Sequence, residues 1–148
     1  MDSKGGIGYK LVLITTEQFA VIEDNFTVQT DIETKIDFRF AAEKDQKLIG
    51  VFIKGIFLSG SKPFLLIESG CHFAISEKSW ENMYDQKLNK LNVTQHFLQQ
   101  LSILTVGTTR GILHAKTENT PFNQYHIPLV NVEELIKGDV ALEFNPRD

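Results

Sequence analysis

The chain has 148 residues, 42% of them hydrophobic and 23% charged, with a formal net charge of −4. This length and apolar content exclude a disordered chain and predict one domain whose core buries about 70% of the surface exposed on unfolding. A single cysteine excludes an intramolecular disulfide framework or a Cys-cluster zinc site, and 19 acidic against 15 basic residues, with no basic patch, argue against a nucleic-acid binder.

Residues 1–8, MDSKGGIG, are polar and glycine-rich and read as a flexible tail. They lack the basic start and apolar run of a secretory signal. The longest apolar runs, such as residues 64–67, are strand-length, far below the ~20 residues of a membrane helix. The expected compartment is the cytoplasm, with no membrane partner. The triplets Asn25-Phe26-Thr27 and Asn92-Val93-Thr94 match a glycosylation pattern. Without an export signal they are read as chance.

Residues 9–22 are rich in β-branched and apolar residues and predict a strand, kinked near Thr16-Glu17. Glu23-Asp24-Asn25 is the turn after it. Over residues 26–40 the apolar side chains Phe26, Val28, Ile32, Ile36, Phe38 and Phe40 share one parity, and the other parity carries none. Period two predicts a long strand with one buried and one wet face, as in antiparallel sheets. A charged hairpin follows at residues 41–47. Residues 48–58 form the third strand, apolar on both parities, so this strand is expected to need a partner on each side of the sheet. Residues 59–63 are a turn by composition. Residues 64–76 form the fourth strand, with Gly70 at a bulge or a close approach.

Residues 78–91 hold Trp80, Met83 and Tyr84 among charges and read as a loop or a short helical turn. Asn92, with Gln95 three residues on, is a variant capping box that opens a helix. Phe97, Leu101, Leu104, Thr108 and Ile112 follow helical spacing, and Leu98, Ile103, Val106 and Leu113 widen the apolar arc. Gly107 and Gly111 lower helix propensity by about 1 kcal/mol each, and are expected to permit close backbone packing. Residues 117–121 end the helix. Asn131 and Glu134 make a second cap over a short helix at residues 132–137, with Gly138 as its stop. The expected organisation is a tail at 1–8, one domain at 9–137 and a tail at 138–148. The fold class is α+β, a four-stranded antiparallel sheet followed by one long and one short helix.

Catalytic and metal signatures are absent from the sequence. His96 and His114 return to one helix face but, 18 residues apart, lie about 27 Å from each other in a helix. Cys71 and His72 point to opposite faces of a strand, the thiol into the core. No HExxH, Walker loop or GxSxG occurs. The protein is expected to be no enzyme, with no cofactor and no metal. What remains is surplus apolar surface, whose usual fate is oligomerisation or the binding of something apolar.

The order of elements resembles that of the SecB family of protein-export chaperones. The likeness is carried by Pro63-Phe64-Leu65-Leu66-Ile67-Glu68 with Cys71-His72-Phe73-Ala74-Ile75 in the fourth strand, and by residues 97–111 closing on Thr109-Arg110-Gly111. Its best match is residues 125–135, YHIPLVNVEEL, against the family's Leu-Pro-Pro-Ile-Asn-Phe-Asp-Ala-Leu ending. The resemblance spans residues 9–137. It implies an ATP-independent chaperone, a homo-oligomer built as a dimer of dimers, that holds unfolded client polypeptides in apolar clefts between the sheet and the crossover at residues 117–130. The expected substrate-binding residues are Phe52, Phe73, Phe122, Tyr125 and Ile127. The acidic turn with which the export chaperones help contact the SecA motor is here Ser59-Gly60-Ser61-Lys62, without a carboxylate. SecA is therefore a doubtful partner, and Glu17 on the first strand is the one partner-binding candidate. A specific client, such as an antitoxin, fits as well as export. Two other readings stay open: a small-ligand or enzymatic module of hot-dog-like architecture, and a dedicated dimerising partner of one protein.

Overall fold

The computed structural model describes residues 6–28 and 31–145. The alternating β-branched and aromatic residues form four long strands: β1 (Tyr9–Val21), β2 (Ile32–Glu43), β3 (Leu48–Ser59) and β4 (Lys62–Ile75). They make one antiparallel sheet in the order β1-β4-β3-β2. This is a Greek key, three hairpin-connected strands with β1 returned beside the last of them. β1 carries two register shifts, between Leu11 and Leu13 and between Thr16 and Gln18. The second coincides with the kink expected at Thr16-Glu17.

β2 begins later than its alternation predicts. A 3₁₀ turn at Glu23–Asn25 redirects the chain, and Phe26 reaches the core from outside the strand, its ring 4.8 Å from that of Phe64. Residues 29 and 30 of the expected strand, like 1–5 and 146–148 of the expected tails, lie outside the described residues.

The segment after the sheet is ordered as α1 (Glu77–Met83), β5 (Tyr84–Asp85) and β6 (Lys90–Val93). Ser76 caps α1 by accepting from the Ser79 N–H. The long helix α2 (Gln95–Lys116) is capped by Thr94, not Asn92. Asn92 is occupied in β6, opposite Ala141 of β7 (Val140–Glu143). β7 lies in the expected C-terminal tail, and β5, β6 and β7 form a second, three-stranded sheet. A short helix, α3 (Val132–Leu135), carries the expected Asn131 cap and ends before Lys137.

α2 covers one face of the large sheet. Ile49, Val51, Ile53 and Phe57 of β3 and Leu65, Ile67, Cys71 and Phe73 of β4, all of one parity, are buried in the core with Phe97, Leu98, Leu101 and Leu113 of α2. Ser69 and Thr109 share a buried hydrogen bond of 2.6 Å across this interface. Gly107 and Gly111 do not mediate packing here: a β-carbon on either would meet no atom within 4 Å. They lie on the side of α2 away from the sheet, because Leu101, Thr105 and Thr109 take the side facing it.

The opposite sheet face differs from expectation. β3 is apolar on both parities, yet Phe52 is only 7% exposed. Its ring lies under the Arg39 guanidinium at 3.9 Å and beside Gly50 and Gly70, where added β-carbons would come within 3.0 and 2.5 Å of it. Arg39 also pairs with Glu68 at 3.7 Å. The Arg39 stem and the two glycines thus shield Phe52 on this face. The exposed large apolar residues instead include Leu11, Val12, Leu13 and Ile14 of β1 and Ile103 and Leu104 of α2.

Candidate peptide-binding groove

β2 is an edge of the large sheet, so half of its backbone groups have no strand to bond. Which half follows from the register. The Asp31 carbonyl accepts from the Gly60 N–H, which makes Asp31–Gly60 a bonded pair. Alternation then directs the backbone of Glu33, Lys35, Asp37 and Arg39 towards β3, and that of Ile32, Thr34, Ile36, Phe38 and Phe40 towards the free edge. Ile36, Phe38 and Phe40 also turn their side chains to the α2 side of the sheet, being opposite Gly55, Ile53 and Val51.

Along this edge runs a groove of about 470 Å³, walled by Ile36, Asp37, Phe38 and Phe40 on one side and by residues 135–140 on the other. Two polar ties hold the second wall to the first two turns of α2. The Asp139 carboxylate accepts from the Gln95 N–H at 2.7 Å, and Gln99 Nε2 donates to the Ile136 carbonyl at 2.9 Å. Asp139 thereby satisfies one of the N–H groups a helix start leaves unpaired, and its negative charge suits the positive end of the helix. The Ile136 side chain is buried in the core. The groove therefore combines a row of outward backbone donors and acceptors with a mixed lining, apolar at Ile36, Phe38, Phe40, Leu135 and Val140 and charged at Lys137 and Asp139. That chemistry suits an extended polypeptide.

The residues expected to bind substrate are distributed over both sheet faces. Phe52 lies on the open face. Phe73 is buried beneath α2, its ring 6.0 Å from Tyr9. Phe122, in a 3₁₀ turn at Pro121–Gln124, and Tyr125 join Phe26, Phe57 and Phe64 in a ring cluster. Ile127 is 1% exposed and seats against Gly55, where a β-carbon would lie 2.6 Å from its Cδ1. The fold thus brings Phe122, Tyr125 and Ile127 together on the α2 side. Phe52 and Phe73 do not join them. Glu17 is exposed at the second β1 register shift.

Ile36, Phe38, Phe40, Leu135, Ile136 and Val140 line the groove without having been expected there from the sequence. The parity of Phe38 and Phe40 was visible, but their place at a sheet edge is a property of strand order. The alternation of Val140, Leu142 and Phe144 was the signal for the second wall.

Among the described residues no group of three or more His, Cys, Asp or Glu could hold a metal ion. Cys71 is a buried free thiol. His72 Nε2 lies 3.3 Å from Thr15 Oγ1 on the open sheet face. No described helix is long and apolar enough to cross a membrane. No protein-family model matches the chain, and no curated protein matches it.

Proposed function

We propose that this protein is a non-enzymatic, ATP-independent holdase, SecB-like in its manner of action, that captures unfolded polypeptide as an added strand along β2. The observation that carries this reading is the coincidence, at Ile36, Phe38 and Phe40, of outward backbone groups with a groove of about 470 Å³ whose lining is part apolar and part polar. Strand addition supplies affinity through main-chain hydrogen bonds and selects clients by alternate side chains. No chemical step is needed: binding the unfolded state withdraws it from aggregation by mass action.

Magnitudes shape the rest of the proposal. Each hydrogen bond gained contributes about 0.5–1.5 kcal/mol net, and each Å² of apolar burial roughly 25 cal/mol. Association costs about 4–15 kcal/mol. One short groove therefore holds a client weakly, and several grooves on one particle hold it far better through avidity. A homo-oligomer supplies them. The free edge of β1, with Leu11 to Ile14 exposed at 44–52%, supports pairing with a second copy about a two-fold axis. α2 borders this edge, with Gln100 Nε2 donating to the Tyr9 hydroxyl and Lys116 over the Phe19 ring. Ile103 and Leu104 of α2 are exposed as well. A dimer of such dimers, acting in the cytoplasm on export clients or on one guarded client, completes the proposal.

An open groove beside a sheet edge favours polypeptide over a small ligand, as does a long helix that follows all four strands. The test is light scattering of several unrelated denatured clients on dilution. An equimolar amount of the protein is expected to suppress their aggregation without nucleotide. Unchanged aggregation of all of them would overturn the holdase reading.

A further inference from the structure

Residues 125–131 connect the 3₁₀ turn to α3 without regular secondary structure. Tyr125 is extended (φ −95°, ψ 129°), and Pro128 restrains the middle. Besides the stacking of His126 on His114 at 6.3 Å and the packing of Val130 on the core, three contacts hold this strap. Ile127 fills the space above Gly55, where an added β-carbon would also lie 3.5 Å from Ile67 Cγ2 and 3.6 Å from Ile36 Cδ1. Arg110 of α2 donates from Nε to the Ile127 carbonyl and from Nη2 to the Pro128 carbonyl, both at 2.8 Å. Tyr125 packs its ring 5.2 Å from Phe64 and 6.1 Å from Phe57. The strap's other side is bare, with Leu129 95% exposed.

Ile36 belongs to both places: it meets the Ile127 seat and walls the β2 groove. The seat therefore adjoins the end of the groove on the same sheet face, one strand in from the edge. An extended segment with an apolar residue in that seat is what an extended client would also present. We propose that the strap is an intramolecular stand-in for client: Ile127 occupies the seat at the end of the groove in cis, and release of the Arg110 fork opens it. This rests on the reading of the groove as a polypeptide site and adds its regulation. The capacity of the groove is then set by strap occupancy, and Arg110, which touches no client, is a positioning residue.

The test uses the full chain and a fluorescein-labelled synthetic peptide of residues 121–131, PFNQYHIPLVN. The variant R110Q/I127S removes the fork and empties the seat. It is expected to bind the peptide at least tenfold more tightly than the unsubstituted protein does, and tenfold more tightly than it binds the same peptide with serine in place of isoleucine. Equal affinity for the two proteins, or for the two peptides, would overturn the proposal. If the double variant loses its circular-dichroism signal, R110Q alone is used. Faster amide exchange across residues 125–131 than in the unsubstituted protein, with that of α2 unchanged, supports the proposal, and unchanged exchange in the strap overturns it. Peptide binding as expected, with no client protected by either protein, would sink the holdase reading and leave the cis-occupied seat standing.

Discussion

The side chain of Ile127, on a segment without secondary structure, rests on Gly55 in the middle of β3, and a β-carbon there would stand 2.6 Å from its Cδ1. Gly55 → Ala is therefore expected to overpack the seat. Overpacking costs roughly 1–3 kcal/mol, offset in part by about 0.5–1 kcal/mol from removing a glycine. The net expectation is a loss near 1 kcal/mol in urea unfolding. Ile127 → Val removes the clashing methyl and costs about 0.5–1.5 kcal/mol alone. The double variant should lose less than the sum of the two, because the pair share one volume. Strict additivity would show that the two side chains do not meet.

Neighbouring proline substitutions in β2 should behave differently. The Thr34 N–H faces the free edge, whereas the Lys35 N–H bonds β3 by the alternation that Asp31 and Gly60 establish. Lys35 → Pro deletes a sheet bond and leaves a carbonyl unpaired, costing about 1–3 kcal/mol more than Thr34 → Pro. Thr34 → Pro should fold and yet protect clients less well, since it blunts the edge. Unfolding midpoints and client light scattering check both halves; equal destabilisation would mean that the Lys35 N–H does not bond β3.

Leu11 and Leu13 are 45% and 52% exposed on the β1 edge. Placing lysine at both should prevent edge-to-edge association. The unsubstituted protein is expected to elute as an oligomer, and Leu11 → Lys/Leu13 → Lys as a monomer of unchanged secondary structure. Size exclusion with light scattering decides this, and a monomeric unsubstituted protein would remove the oligomer from the proposal.

Asp139 → Ala should destabilise the protein by about 1 kcal/mol, the usual cost of losing a side-chain partner at a helix start. It should also speed amide exchange in residues 136–140, because Asp139 ties that wall to Gln95. Protection of the wall equal to that of the unsubstituted protein would show that Gln99 and β7 suffice to hold it.

The four long strands and the long helix were legible in the chain because they depend on local periodicity. Alternation over β2 put Ile36, Phe38 and Phe40 on a buried face, and helical spacing put Leu101 and Leu113 beneath α2. Thr94 displaced Asn92 as the cap because Asn92 was drawn into a strand with Ala141, 49 positions away. A four-residue strand such as β7 carries too few alternations to stand out from a tail, and it forms only because β6 offers it an edge.

Local pattern determined which faces of each element are apolar. Tertiary structure alone decided which of those faces stay uncovered. β3 is apolar on both sides in sequence, but Arg39 of the adjacent strand shields Phe52. The exposed apolar side chains lie instead on the β1 edge and on α2, while Ile36, Phe38 and Phe40 on the β2 edge are half-buried, because which strands become edges is a matter of pairing order. Pairing joins residues far apart in the chain, through contacts that no window of neighbouring residues contains.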